Sequence, residues 1–267
     1  MVYISRLEYD SSIASEFPLV AALSDSTIVG GKIGSKTPGW RFSSVFEAGG
    51  KRFAIGRGGI ACGSFTLNEI VIYDSSGVRK RSFTIDKPQV IQAQGDCFAL
   101  TNAAEDFYII GEGVRRISDV GSVKNLFFIS QSHLLVEGDE RVYVWNEDSC
   151  SIVCRRQRPV VAVAALDEFI AISWLGGGLE LFDRRTYRVL ARYKAEGIAQ
   201  FQCLAIVQGP TMYALAQTKG PLSRSLVEVN MSSNKVTKIK ELTHNGGLGL
   251  FKDSVTAVQL RADSILA

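Results

Sequence analysis

Two histidines, five cysteines and four adjacent acidic pairs are the side chains that could give this chain catalytic or metal chemistry. His133 and His244 stand far apart. Neither has a second His or a carboxylate at the spacing of a metal or general-base site, and both read as structural. Cys150 and Cys154 enclose three residues at a turn, but a zinc site would need two more ligands, and Cys62, Cys97 and Cys203 fall in other segments. Glu105-Asp106, Asp139-Glu140, Glu147-Asp148 and Asp167-Glu168 all sit at turns, where solvated carboxylates lack the desolvation that general-acid chemistry needs. Gly56-Arg57-Gly58-Gly59 and Gly176-Gly177-Gly178 precede no helix that would complete a phosphate cradle, so they read as turns and bulges. There is no Gly-x-Ser-x-Gly elbow, and Ser, His and acid cannot be assembled into a triad from spacing alone. No metal or cofactor is expected and the chain reads as non-enzymatic, an enzyme with its site at the mouth of a central channel being the least favoured alternative.

The remaining chemistry is basic. Arg79-Lys80-Arg81, Arg115-Arg116, Arg155-Arg156 with Arg158, Arg184-Arg185 with Arg188 and Arg192, and Lys235, Lys238 and Lys240 recur along the chain. Each group falls in, or leads into, the last strand of a four-strand pattern. There cations protect an exposed sheet edge, or else form a belt that contacts phosphates of nucleic acid or inositol lipid.

The elements that must carry these residues are hairpins. Val142 to Arg156 reads as a strand, a polar turn over Asn146 to Ser149, and a returning strand from Ile152. Copies lie at Ile70 to Phe83, Phe107 to Ile117, Leu179 to Tyr193 and Leu226 to Ile239. Their third strands end at Asp74, Gly111, Asn146, Asp183 and Asn230, steps of 37, 35, 37 and 47 residues. Apolar residues alternate at a period of two, with no helical stretch. The chain therefore reads as all-β, an array of small four-stranded sheets.

Within that array Gly56 to Thr66 reads as a long glycine-rich connection. The opening is less regular: Val2 to Leu7, Ser11 to Phe17, Leu19 to Leu23, Ile28 to Ile33, Trp40 to Phe42 and Ser44 to Phe46 are the strand candidates. The last group, Leu248 to Phe251, Val255 to Leu260 and Ser264 to Leu266, lacks an outer strand. A four-stranded sheet buries neither face alone, whereas stacking sheets into a ring buries both and leaves short outer edges. Residues 1–267 are thus expected to form one β-propeller of seven blades, six being the alternative, with Val2 to Leu7 completing the last blade.

Hydrophobic residues at 46% and charged residues at 21% fit a folded core. A net charge of +3 excludes a strong overall field toward nucleic acid or membrane. Arg6, Glu8 and Asp10 interrupt any signal-peptide core, no apolar run spans a bilayer, and the odd, scattered cysteines resemble no secreted disulfide framework. A cytoplasmic or nuclear, non-transmembrane protein is expected.

Val-Tyr-Val-Trp-Asn at 142–146, Leu-Glu-Leu-Phe-Asp at 179–183 and Ile-Val-Ile-Tyr-Asp at 70–74 resemble the Trp-Asp endings of WD-repeat blades. The resemblance covers about Phe53 to Ile239. WD blades usually carry a His before the first strand and an Asp before the third. Here only Asp139 holds the Asp position, with Ala104 and Gly176 in the matching places and no His at any blade start. The departure implies blades held mainly by apolar packing. The resemblance implies a rigid, non-enzymatic scaffold that binds proteins within a complex through loops on one face. These are Glu137 to Arg141, Trp174 to Gly178, Thr218 to Arg224 and the connections around Lys87, Arg158 and Lys194. Trp174, Arg158, Lys194, Lys219 and Arg224 are the candidate contact residues, with Trp174 read either as an exposed anchor or as core. The phosphate-binding alternative falls on Arg155, Arg156, Arg184 and Arg185. Phosphoinositide-binding propellers carry a Phe-Arg-Arg-Gly motif; here Asp183 interrupts it and Thr186 replaces the Gly, so their lipid sites are not carried over.

Overall fold

Gly-Ile-Ala-Cys-Gly-Ser, Cys-Phe-Ala-Leu-Thr-Asn, Leu-Leu-Val-Glu-Gly and Phe-Ile-Ala-Ile-Ser-Trp are runs of small and apolar residues with little alternation. Each forms the second strand of a four-stranded antiparallel sheet and is covered almost throughout. Lack of alternation is what a strand buried on both faces requires. The computed structural model describes residues 3–4, 19–22, 27–33, 40–47, 52–56, 59–64, 67–74, 78–94, 96–130, 132–165, 168–176, 178–194, 196–206, 211–218, 223–243, 246–251 and 254–259. The chain divides into two compact units, Met1–Asp139 with Tyr143–Ser151, and Glu140–Val142 with Ile152–Ala267.

Seven antiparallel sheets follow in chain order among the described residues. The first holds β1 (Tyr3–Ile4), β2 (Leu19–Ala22), β3 (Thr27–Ile33) and β4 (Trp40–Glu47). The second holds β5 (Arg52–Gly56), β6 (Gly59–Ser64), β7 (Glu69–Tyr73) and β8 (Arg79–Thr84). The third has β9 (Pro88–Gln94), β10 (Cys97–Asn102), β11 (Phe107–Ile110) and β12 (Val114–Ile117); the fourth has β13 (Val123–Phe128), β14 (Leu134–Gly138), β15 (Arg141–Trp145) and β16 (Cys150–Arg155). The fifth is β17 (Val160–Ala165), β18 (Phe169–Trp174), β19 (Leu179–Asp183) and β20 (Val189–Tyr193). The sixth is β21 (Ile198–Ile206), β22 (Thr211–Thr218), β23 (Ser223–Asn230) and β24 (Lys235–Thr243), and the seventh pairs β25 (Gly246–Phe251) with β26 (Ser254–Gln259).

Sheets stack through apolar layers, first strand beside first strand. In the first unit β5 lies beside β9 and β9 beside β13; in the second β17 lies beside β21 and β21 beside β25. Ile70 and Ile72 pack with Phe98, Leu100 and Ile110, and Ala99, Phe107 and Ile117 pack with Leu126, Val136 and Trp145. Phe107 meets Trp145 edge to face at 5.3 Å. In the second unit Leu179, Leu181 and Tyr193 pack with Phe201, Met212, Ala214 and Val227.

Several expectations change. Gly56 to Thr66 is no long connection, because Gly59–Ser64 is β6 and is buried throughout. Glycine reads as loop, yet here it admits close neighbours: a Cβ on Gly63 would stand 2.8 Å from Cδ1 of Ile91 and 3.1 Å from Cδ1 of Ile70. Trp40–Glu47 is one strand rather than two. Tyr3–Ile4, from the stretch expected to complete the last blade, pairs with Leu19–Ala22 in the first sheet. Antiparallel pairing with a strand close in sequence closes the shorter loop. Ser11 to Phe17, Ser264 to Leu266 and His244 lie outside the described residues.

Fourth strands lie at sheet edges, and four of them carry one extra residue against their partner: Val45, Lys80, Leu190 and Ile239. A bulge breaks the regular row of donors and acceptors that another chain would need for pairing.

Candidate functional site

Four antiparallel strands put the turn between the second and third strands at the same end as the connection entering the first. At that end the backbone ties turn to connection. In the first unit Ile85 N–H donates to Asn68 O at 2.9 Å, Ala103 N–H to Lys87 O at 3.0 Å and Val123 N–H to Glu105 O at 2.9 Å. In the second, Arg156 N–H donates to Glu140 O at 2.7 Å and Leu175 N–H to Pro159 O at 2.8 Å. Asn68, Lys87 and Glu105 have φ of 52°, 43° and 63°, a conformation that side chains rarely adopt unless neighbouring bonds hold them there. Within each unit these turns and connections are therefore fixed to one another.

Bulges recur at the same end of first strands, at Gln89, Lys124, Val161 and Ala199. A bulge re-aims a side chain. Lys124 Nζ pairs with Asp139 Oδ1 at 3.1 Å and with Glu105, which also accepts from Ser122 Oγ. Hydrogen bonds from Lys124 and Ser122 hold the Glu105 carboxyl below its usual range; those to Glu105 and Asp139 raise Lys124. Asp139, the residue matching the WD-repeat Asp, thus pairs with a lysine.

In the second unit the turn after β18 is held by bonds from both the backbone and a side chain. Trp174 N–H donates to Gly178 O at 3.1 Å, and Gly176 sits at φ 70°. Arg158 Nη1 donates to Gly176 O at 2.7 Å and reaches Leu175 O at 3.5 Å. Gly178 faces Lys194, with 4.0 Å between an ideal Cβ and Lys194 Cγ. Arg158 and Lys194 are exposed, and Leu175 between them is 47% exposed.

Three of the five proposed contact residues therefore meet at one turn, but one is not a surface anchor. Trp174 is 6% exposed, and its indole N–H donates to Glu180 Oε2 at 3.0 Å. Trp174 is the last residue of β18, a strand buried on both faces, and a buried indole needs such an acceptor. Lys219 lies outside the described residues. Arg224 belongs to β23, paired with Gln217 and Leu242, rather than to a loop. Leu175 lies in the expected loop Trp174 to Gly178 but carries little signal of its own, since a single apolar turn residue is ordinary; its place beside Trp174 and three glycines is what marks it.

The basic outer strands are extensively paired. Arg79 meets Glu69, Lys80 meets Asp74 at 3.0 Å, Arg116 meets Asp106, and Arg192 Nε donates to Glu180 Oε1 at 2.8 Å. Arg115 pairs with Glu147 at 2.9 Å and stands 5.9 Å from the Trp145 ring centroid. Arg155 and Arg185 are exposed, while Arg156 and Arg184 are half-buried, the Arg184 N–H donating to Glu168 O at 2.9 Å.

His133 lies in the turn between β13 and β14. Its Nδ1 faces Ser130 Oγ at 3.1 Å and Ser132 Oγ at 2.9 Å, and its Nε2 faces Asn146 Nδ2 at 3.0 Å. Burial pushes the Cys62 and Cys154 thiols up to about 12, and raises Cys97 and Cys150. None has the depressed pKa of a nucleophile. Among the described residues no three His, Cys, Asp or Glu gather as metal ligands, and no helix is long and apolar enough to cross a membrane.

The successive four-stranded antiparallel sheets and their stacking define an all-β, WD-like β-propeller fold. Solved structures agree. The chain is similar to the WD40 repeats of RRP9 (TM-score 0.66, 14% identity, 93% of this chain and 86% of that one). It is also similar to BamB from Moraxella catarrhalis (TM-score 0.62, 14% identity, 97% and 79%) and to the computationally designed Ika8 protein (0.65, 13%, 96% and 80%). No family model and no curated protein matches.

Proposed function

We propose that the chain is a non-enzymatic scaffold that binds proteins within a multiprotein assembly, through the face where second-to-third turns meet the inter-sheet connections. The observation that carries this reading is the set of backbone hydrogen bonds joining those turns to those connections, which makes the surface rigid before a partner arrives. The WD-like fold commonly serves this role. In this reading the seven sheets are seven blades of one ring spanning the chain, and the protein works in the cytoplasm or nucleus.

The phosphate-binding alternative rests on the exposed Arg155 and Arg185. Against it, Arg79, Lys80, Arg115, Arg116 and Arg192 already engage carboxylates. A tagged pull-down from native extract, with and without nuclease and at low and moderate salt, separates the two. A discrete set of proteins surviving both treatments supports the scaffold. Loss of everything with nuclease or modest salt would overturn it in favour of the arginines.

A further inference from the structure

Seven large apolar side chains are exposed among the described residues, and their positions sort them. Val114, Ile152, Val189 and Leu190 lie on fourth strands and Val78 just before one, whereas Leu67 and Leu175 occupy turns between second and third strands. Polar or glycine residues are usual at such turns. Of these two turns, the one at Leu175 is bound by a guanidinium and borders a second cation. Arg158 uses Nη1 on the turn carbonyls, and among the described residues its Nε and Nη2 make no hydrogen bond. Lys194 flanks the other side. Glu196 is the nearest acid in sequence on that connection, and Glu180 is occupied by Trp174 and Arg192.

From this juxtaposition we infer that the Leu175 turn, with Arg158 and Lys194, docks an acidic peptide segment bearing one apolar residue. The inference rests on the scaffold reading and names the chemistry of the partner. Arg158 is already immobilised, so engaging a carboxylate loses little further rotamer freedom, and its planar fork suits a bidentate carboxylate. Leu175 stands on a turn fixed by the bonds to Pro159 and Gly178, so an apolar group placed against it is desolvated without ordering the loop. Cations on both sides favour a partner with acids flanking its apolar residue.

The test uses the full chain and a displayed library of random short peptides, followed by fluorescence polarisation with the enriched peptides. Enriched sequences should place Asp or Glu around a Leu, Phe or Met. Their affinity should fall about tenfold or more in R158E and in L175S, while V189S, which removes an exposed apolar residue at the opposite end of the same sheet, should bind as wild type. K194E provides the same reading should R158E lower the melting temperature. Enriched peptides without acids, or acidic peptides bound equally by R158E, K194E and wild type, would overturn the inference. A pull-down with the R158E/L175S/K194E variant separates this failure from that of the scaffold reading. Proteins retained by both variant and wild type through nuclease and salt keep the scaffold and sink the Leu175 site; loss of all proteins from wild type sinks the scaffold itself.

Discussion

The Thr186 hydroxyl donates to Asp183 Oδ1 at 2.8 Å, and the same oxygen accepts the N–H groups of Arg185 at 3.0 Å and Thr186 at 2.7 Å. This is a side chain capping the turn that follows it. Asn146 Oδ1 does the same for Asp148 and Ser149, Asp74 Oδ1 for Val78, and Asn230 Oδ1 for Ser233. The WD-like repeat visible in the sequence is therefore a repeat of hairpin caps. D183A should lower the melting temperature, whereas D183N should retain most of it because Asn already serves at 146 and 230. Calorimetry showing equal losses in both variants would refute the cap.

Acid should destabilise the protein in a defined window. Backbone and hydroxyl hydrogen bonds from Thr186 hold the Asp183 carboxyl below its usual range, as Lys124 and Ser122 do for Glu105. For Asp106, burial pushes upward, but hydrogen bonds from Arg116, Asn102 and Tyr108 outweigh it. A depressed carboxylate stabilises the fold above its unfolded pKa, near 4, and that contribution is lost as pH falls through the lower folded value. Melting temperature should thus hold from neutral pH to about 4 and drop below it, less steeply in D183N. A profile flat through this range would contradict these assignments.

Lys124 works in the opposite direction. Its pairing with Glu105 and Asp139 raises its pKa, so the stability it adds is complete below the ordinary lysine value and fades as pH climbs through the folded one. K124M should remove that alkaline loss and lower stability at neutral pH. Identical alkaline profiles for K124M and wild type would remove Lys124 from this role.

Among the described glycines, Gly59 is the one that leaves a side chain least room. Its φ is 122°, and a Cβ there would stand 2.3 Å from the Tyr73 carbonyl oxygen, a backbone atom with no room to move. G59A should cost about 2 kcal/mol or more in denaturant unfolding. G63A should be milder, because its close neighbours are methyl ends of Ile91 and Ile70. Equal effects would count against the register of β6.

The thiols should sort by access. Cys62 and Cys154, pushed up to about 12, should resist alkylation of the native protein at neutral pH, while the exposed Cys150 should be modified first. Peptide mass spectrometry after a brief iodoacetamide pulse reads the order; early labelling of Cys62 would mean that β6 opens readily.

Most strands were legible because alternation and turn residues recur in every sheet, as Val142 to Arg156 shows. What stayed hidden had a physical cause in each case. Gly59–Ser64 looks like a loop in sequence because glycine signals turns, and only the packing of Ile91 and Ile70 against Gly63 shows why a buried strand needs it. The register of bulges is invisible to a period-two pattern, so the re-aimed Lys124 and its pairing with Glu105 could not be read. Trp174 and Leu175 are adjacent apolar residues, and which one faces solvent depends on where the doubly buried β18 ends and on the Glu180 acceptor six residues on, in β19.

The extra residues at Lys80, Leu190 and Ile239 also bear on how the chain survives its own synthesis. Sheets emerge from the ribosome in order, and an early sheet waits with its outermost strand bare while later ones are made. On a crowded polysome, neighbouring nascent chains that have already made the same sheet hold identical edges within reach of one another. An edge whose donors and acceptors fall out of step offers those neighbours no continuous template, so each chain is left to find its own next sheet.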